Sequence, residues 1–502
     1  MSLPFLVLGL SLGLNLFLSP DPLGAGWLRR HPLESAAIAL SIGSLGFINT
    51  WDLPLMAGML AALALVKSYG EQRGNLQRAA MSTAVVLAPT LAAAVVLFLP
   101  FYVTLSGQAS GVLPLQEAGT RPFLFFLVMG LFTFLGISFL FRQLPGLARP
   151  VKDDAPAAVM ALVIALTPLL VWGLIVLSLT LASDGTGAAL GKVGSRMWVL
   201  AGLAIVGLAA FSAAQRVRLS REPVAAFALV LLAAGFYLLA GAELFYVVDF
   251  FGGAYRRMNT VFKLYYQAWL LLALAAVYGL YYWQSHMPRA QPQCARRPSL
   301  RAALFRAGHY AWAGLAAALL VASFYYPVGA VLDRTGVLGP NHTLKDNTLN
   351  GLEFLRNANP GEYAAIQWLR DRAPWGRIVE AVGDDYSDYG RISSSTGLPT
   401  VLGWKGHELQ WRGSSKLFSG REEDVDQIYR SDDPERVRQL LEWYDVRYVY
   451  VGHRERADYG GANLTAFSSF LRTAFERDGV VIYEFMDVSG QHITAVDGRD
   501  PG

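Results

Sequence analysis

Residues 243–267 read ELFYVVDFFGGAYRRMNTVFKLYYQ and lie between two apolar runs, about 223–242 and 262–284, each long enough to cross a bilayer. The stretch carries Glu243, Asp249, Arg256, Arg257, Asn259 and Lys263. Charge beside hydrocarbon is costly, so it marks either a functional site or a cluster of side chains that snorkel and pair at the interface. A helix beginning near Tyr255 puts Arg256, Asn259, Lys263, Tyr266 and Gln267 on one polar stripe of an otherwise apolar surface. Gly252 and Gly253 allow a tight turn before it. Two guanidinium groups and an ammonium at the end of a span suit a phosphate or pyrophosphate. Glu243 and Asp249 are candidates to balance those cations, hold a metal ion with the phosphate, or act as a base.

The rest of the chain supports a membrane reading. Of 502 residues, 54% are hydrophobic and only 16% charged, against about 25% charged in soluble proteins. Apolar runs lie at about 3–18, 35–49, 53–66, 81–103, 122–141, 156–182, 197–214, 223–242, 262–284 and 308–331, ten candidate spans. The second and third are short, and a re-entrant hairpin is the alternative for that pair. Pro54 suits the start of the third. The first run lacks a basic leader and a cleavage site and reads as a span, not a signal peptide.

Lys and Arg are unevenly shared between loops. Those after odd-numbered runs hold sixteen and those after even-numbered runs six. By the positive-inside rule the first set faces the cytoplasm. The N-terminus, the loop at 49–54, the 243–267 stretch and everything after the last span are then expected outside. Arg256, Arg257 and Lys263 make up half of the smaller set and run against topology. A net charge of +4 carried mostly in loops points away from nucleic acid, and a single cysteine, Cys294, excludes an intramolecular disulfide. No His and Cys pattern for a metal is present.

Two further groups carry chemistry. Asn49, Thr50, Trp51 and Asp52 are expected on the same face as the main stretch. Asp52 either orients an acceptor or coordinates a metal, or these residues cap a helix and sit in the aromatic belt. After Pro327 the chain becomes charged and punctuated by Gly. Strands at 377–382, 398–402, 447–451 and 480–485, with helices at 361–372, 421–430 and 434–444, predict a small α/β domain. The division is a membrane domain over 1–331 and an extracytoplasmic α/β domain over 332–502. Within the latter, Asp384, Asp385, Tyr386, Arg391, His407, Glu408, Trp411 and Arg412 are polar and aromatic groups of the kind that bind sugars, or a salt-bridged surface loop.

Four segments, FINTWDLP at 47–54, ELFYVVDFFGGAYRRMNTVFKLYYQAW at 243–269, EAVGDDYSDYGRISSSTGLPTVLGWKGHELQWRG at 380–413 and DVRYVYVG at 445–452, together resemble the Chlor_Arch_YYY family of membrane proteins of unknown function. The YYYxG motif that names that family is absent. The chain therefore resembles the C-terminal part of the family pattern, with an upstream membrane region or subunit as an expected partner. The layout is also similar to glycosyltransferases of the GT-C fold, with many spans, reactive outer loops and a soluble C-terminal domain. That similarity implies transfer of a sugar from a polyprenyl-phosphate donor in the lipid bilayer. Asp52, Glu243 and Asp249 would serve as base or as ligands to a divalent metal such as Mg²⁺ or Mn²⁺. Arg256, Arg257, Asn259, Lys263, Tyr266 and Gln267 would hold the phosphate, and Arg256, Lys263, Asp249 and Asp52 are expected to meet in one outer cleft. The alternatives are a transporter or flippase of an anionic lipid or polysaccharide, and a non-catalytic membrane protein that binds envelope glycans.

Overall fold

A computed structural model of the chain describes residues 2–105, 109–144, 154–220, 222–249, 251–285, 300–337, 348–460, 462 and 464–486. Cys294 and the loop cations Arg149, Lys152, Arg221, Arg289, Arg296 and Arg297 lie outside them. The chain falls into two compact units, one comprising Met1–Leu105 with Ala109–Ala330, the other Val331–Gly502.

The first unit is helical. Its long apolar helices are α1 (Leu3–Leu18), α2 (Pro32–Ile48), α3 (Asp52–Glu71), α4 (Leu76–Leu97), α5 (Pro122–Gln143), α6 (Ala155–Ser183), α7 (Val199–Gln215), α8 (Pro223–Leu244), α9 (Met258–Ser285) and α10 (Leu300–Ser323). Among the described residues eight helices are long and apolar enough to cross a membrane, while α1 and α2 are shorter. At about 1.5 Å per residue those two fall short of a hydrocarbon core of about 30 Å. The ten apolar runs thus resolve into eight helices of spanning length and two that are not. Proline opens several of them, at Pro32, Pro122 and Pro223, because the first turn has no use for its missing N–H. α3 begins at Asp52, so Pro54 sits inside its first turn.

α8 is apolar all round and is the most enclosed spanning helix. It packs against α1, α3, α6, α7 and α9. Gly235 permits the approach of α9, since a Cβ there would stand 2.7 Å from Leu272.

The connections collect at two ends. At one, Lys67 donates to the Ser19 carbonyl at 2.5 Å and pairs with Glu71 at 2.9 Å. There too, Asp154 receives Tyr69, Gln215 and Arg218. At the other end lie Asn49–Asp52, 111–120, 192–196 and 243–263. These are the loops after odd and even apolar runs, respectively. Two short strands that sequence reasoning does not anticipate, β1 (Gly111–Pro114) and β2 (Phe245–Val248), pair antiparallel at the second end.

The second unit holds a mixed sheet of β3 (Arg377–Val379), β4 (Val446–Val451), β5 (Arg472–Arg477) and β6 (Val480–Glu484) in the order β3-β4-β6-β5. β3 is parallel to β4, and the other pairings are antiparallel. Asp478 and Gly479, both at positive φ, make the β5–β6 turn. β4 is buried on both faces. Tyr448 and Tyr450 pack towards α11 (Pro360–Asp371), and Val449 and Val451 towards the opposite cluster with α12 (Arg421–Arg430) and α13 (Pro434–Trp443). β3 is shorter than the 377–382 strand expected, because the Ala381 N–H goes to the Glu455 carboxylate and not to a neighbouring strand. The 398–402 segment contributes only a bridge from Thr400 to Ile378.

Candidate functional site

The polar residues of 243–269 divide between two faces of α9. Lys263 and Tyr265 are two residues apart, roughly 200° around a helix, and they belong to different networks.

The first network is centred on Glu243, 3% exposed at the end of α8. Its carboxylate accepts from the Thr120 N–H at 2.9 Å, the Thr120 hydroxyl at 2.5 Å, Arg257 at 2.9 Å and the Tyr265 hydroxyl at 3.2 Å. Arg257 also donates to the Ala242 carbonyl at 2.7 Å. Gly119 is required here, since a Cβ would collide with the Glu243 carboxylate. Arg196, itself buried, donates to the Glu117 carbonyl, and Arg256 pairs with the Glu117 carboxylate at 2.6 Å. This arrangement clamps the 111–120 segment to α8 and α9. Glu117, Thr120, Arg196 and Tyr265 were not among the sequence candidates. Only Arg196, a cation placed directly before an apolar run, gave any signal.

The second network is a stripe of Asn259, Lys263 and Gln267 at intervals of four on α9. Asn259 donates to Asp249 at 2.8 Å, Lys263 to Asn49 at 2.6 Å and Gln267 to Asp52 at 2.8 Å. The other Asp249 oxygen accepts the Phe251 N–H at 2.9 Å. Asp52 is 1% exposed, and its second oxygen has no hydrogen-bond partner among the described residues. The Asp52 N–H meets the Asn49 carbonyl at 2.8 Å, and its place in the first turn of α3 lets the helix dipole favour a carboxylate. Lys263 lies within electrostatic reach of Asp52 and 6.0 Å from the Trp51 ring. α9 begins at Met258, after a tight turn at Gly253–Tyr255. That later start removes Arg256 from the expected stripe, and Tyr266, although on α9, does not join it either. Arg256 precedes the helix and turns to Glu117, and the half-exposed Tyr266 stacks on Phe262. Asp249, Lys263 and Asp52 follow one line, and Arg256 does not join them.

An apolar cavity of about 450 Å³ opens beside this stripe. Leu10, Met56, Met59, Val230, Ala233 and Leu271 contribute to its wall, and so does Gln267, the amide that holds Asp52. Pro54 and Leu55, just after Asp52 in α3, also border it.

In the second unit, Asp385 receives the Gly406 N–H at 3.0 Å. Tyr386, His407 and Trp404 gather their rings with centroids 5.1–5.4 Å apart. Asp384 accepts from the Ser387 hydroxyl through its backbone carbonyl. Glu408 and Arg412 pair with each other one turn apart, and Trp411 is exposed. Arg391 leaves this group altogether and pairs with Glu362 at 2.9 Å. Among the described residues no three His, Cys, Asp or Glu side chains come together as ligands for a metal.

Apolar helices of spanning length around an enclosed α8, with polar clusters fixed at their ends, define a multi-pass membrane protein. The chain belongs to the family of uncharacterised membrane proteins DUF2298, whose profile matches residues 1–272. That is a membrane family without an assigned activity, as the resemblance implied, under a name other than Chlor_Arch_YYY. Neither a curated protein nor a solved structure matches the chain.

Proposed function

We propose that the protein is a membrane glycosyltransferase that takes its sugar from a polyprenyl-phosphate donor at the outer face of the bilayer. One observation carries the reading. An apolar cavity within the helices is walled at one point by Gln267, which holds Asp52, a buried carboxylate with one oxygen unpaired beside an ammonium. An isoprenoid chain suits the cavity, and a phosphate suits Lys263. In the reaction Asp52 takes the proton of an acceptor hydroxyl. The acceptor oxygen bonds to the anomeric carbon, and the bond from that carbon to the phosphate oxygen breaks. The polyprenyl phosphate leaves with that electron pair, its charge stabilised by Lys263. Glu243 and Asp249, whose oxygens are engaged, together with Arg256 and Arg257, position the surrounding segments. The count of loop cations supports the outer face.

The test is transfer from a polyprenyl-phosphate sugar in membranes containing the full chain. Asp52→Asn should lower transfer by about 10²–10⁴-fold, the range for a lost general base, with insertion unchanged. Transfer that survives Asp52→Asn at the wild-type rate overturns the assignment.

A further inference from the structure

A cavity of about 340 Å³ in the second unit lies where the parallel strands β3 and β4 end. Ligands of α/β sheets favour that edge, and the size falls within the range of small-molecule sites. None of the chemistry argued for Asp52 uses it.

Three buried carboxylates face it from three elements: Glu362 from α11, Glu380 after β3, and Glu455 in the helix His453–Tyr459. Each is already supplied with donors. Glu380 accepts the N–H groups of Ile392 and Ser393, both at 3.0 Å. Glu455 accepts those of Ala381 and Gly452, both at 2.8 Å. Glu362 accepts from Arg391 and Asn359, both at 2.9 Å. Taken alone these are structural bonds, and a group of acids is not a site.

The donors on the same wall are what lack partners. The Tyr450 hydroxyl belongs to a residue only 3% exposed and has no hydrogen-bond partner among the described residues. Nε of Arg454 is likewise buried and unpaired, although its Nη2 reaches Asp388 at 3.3 Å. Gly452 makes room for the phenol, since a Cβ there would lie 2.5 Å from the hydroxyl. A buried donor left unmatched is unfavourable, so two on one cavity wall call for an acceptor inside it.

The identity of that acceptor follows by elimination. An anion would meet Glu362, Glu380, Glu455 and Asp388, which outnumber Arg391 and Arg454. An ammonium cannot accept from Tyr450 or Arg454. A lipid chain offers no polar atoms. A neutral polyol both accepts from these donors and donates to the remaining lone pairs of the carboxylates. Tyr389 and Phe354 add ring faces to the wall, each beneath a guanidinium, Arg454 at 4.9 Å and Arg391 at 5.7 Å. We infer that this cavity binds a neutral sugar residue through Tyr450 and Arg454. The inference stands on the second unit alone and does not depend on the transfer reaction.

The experiment uses the full chain in a sugar-free amine-oxide detergent, with saturation-transfer NMR and titration. The probes are glucose, galactose, mannose and N-acetylglucosamine, with ethanolammonium chloride and inorganic phosphate as the competing chemistries. At least one neutral sugar should bind, and Tyr450→Phe should weaken it about five- to tenfold, the size of one lost hydrogen bond. Because the hydroxyl has no partner among the described residues, Tyr450→Phe should leave the melting temperature unchanged or raised. Arg454→Lys should weaken binding in the same direction. Tyr450 and Arg454 both lie in the second unit, so weakened binding in these variants separates this site from the membrane one. The inference is overturned if no sugar binds, if only ethanolammonium or phosphate binds, or if Tyr450→Phe binds as tightly as wild type.

Discussion

Glu243 and Asp52 are both buried acids in an apolar unit, and the difference between them lies in their donors. Glu243 receives four hydrogen bonds, one from a guanidinium, whereas Asp52 receives one. A fully engaged carboxylate organises its surroundings, and one with a free lone pair can take a proton. Glu243→Gln leaves Arg257 buried without its charge partner, and breaking such a pair costs about 3–5 kcal/mol. The expected outcome is a clear fall in the melting temperature in detergent, with residual transfer tracking the folded fraction. Gln267→Leu strips Asp52 of its one donor. It should lower transfer by at least tenfold even in preparations that melt like the wild type, and wild-type transfer by Gln267→Leu would show that the amide does not position Asp52.

Among the elements, the spanning helices were legible because an apolar run must satisfy its backbone internally, which leaves a helix as its form in lipid. The β1–β2 pair was not legible. Its strands are four residues each and separated by more than a hundred positions, and nothing local in GVLP or FYVV specifies that register. For the same reason the partners of Glu243 were missed. Thr120 reaches it through that pairing, while the spacing on α9 showed Lys263 and Gln267 directly. In the second unit, the helix His453–Tyr459 begins on a titrating group. Burial pushes the Glu455 carboxyl up to about 7, despite the N–H groups that it accepts and with Glu380 adding repulsion. Its usual value is 4.5. The folded state therefore holds a proton that the unfolded chain has released. This contribution to stability is fully present below pH 4.5 and is lost as pH rises through about 7. At roughly 1.4 kcal/mol per unit it amounts to about 3 kcal/mol. Hydrogen exchange of β4 and this helix in the full chain should quicken between pH 5 and 7 beyond the intrinsic rate, and Glu455→Gln should remove that difference. An equal pH slope in the variant would assign the effect to another group.

Over the whole molecule, two observations of different kinds meet. The loops after alternate apolar runs gather at two ends, as the hydrogen bonds of Lys67 with Ser19 and of Lys263 with Asn49 show. In the proposed reading, the excess of Lys and Arg in the loops after odd-numbered apolar runs assigns the first end to the cytoplasm. The proposed transfer needs one such polarity, because a polyprenyl-linked donor and its acceptor would have to meet on one side. Cys294 falls in the sequence between α9 and α10, in the cation-rich set of connections, and is the chain's one thiol. A membrane-impermeant maleimide should therefore leave the wild-type protein unlabelled in intact cells and label it once the membrane is opened. In a Cys294→Ser background, Glu423→Cys, at an exposed position of α12, should be labelled in intact cells. Labelling of Cys294 from outside, with Glu423→Cys protected, would reverse the orientation. The Asp52 and Lys263 site would then face the cytoplasm and have to draw on donors there.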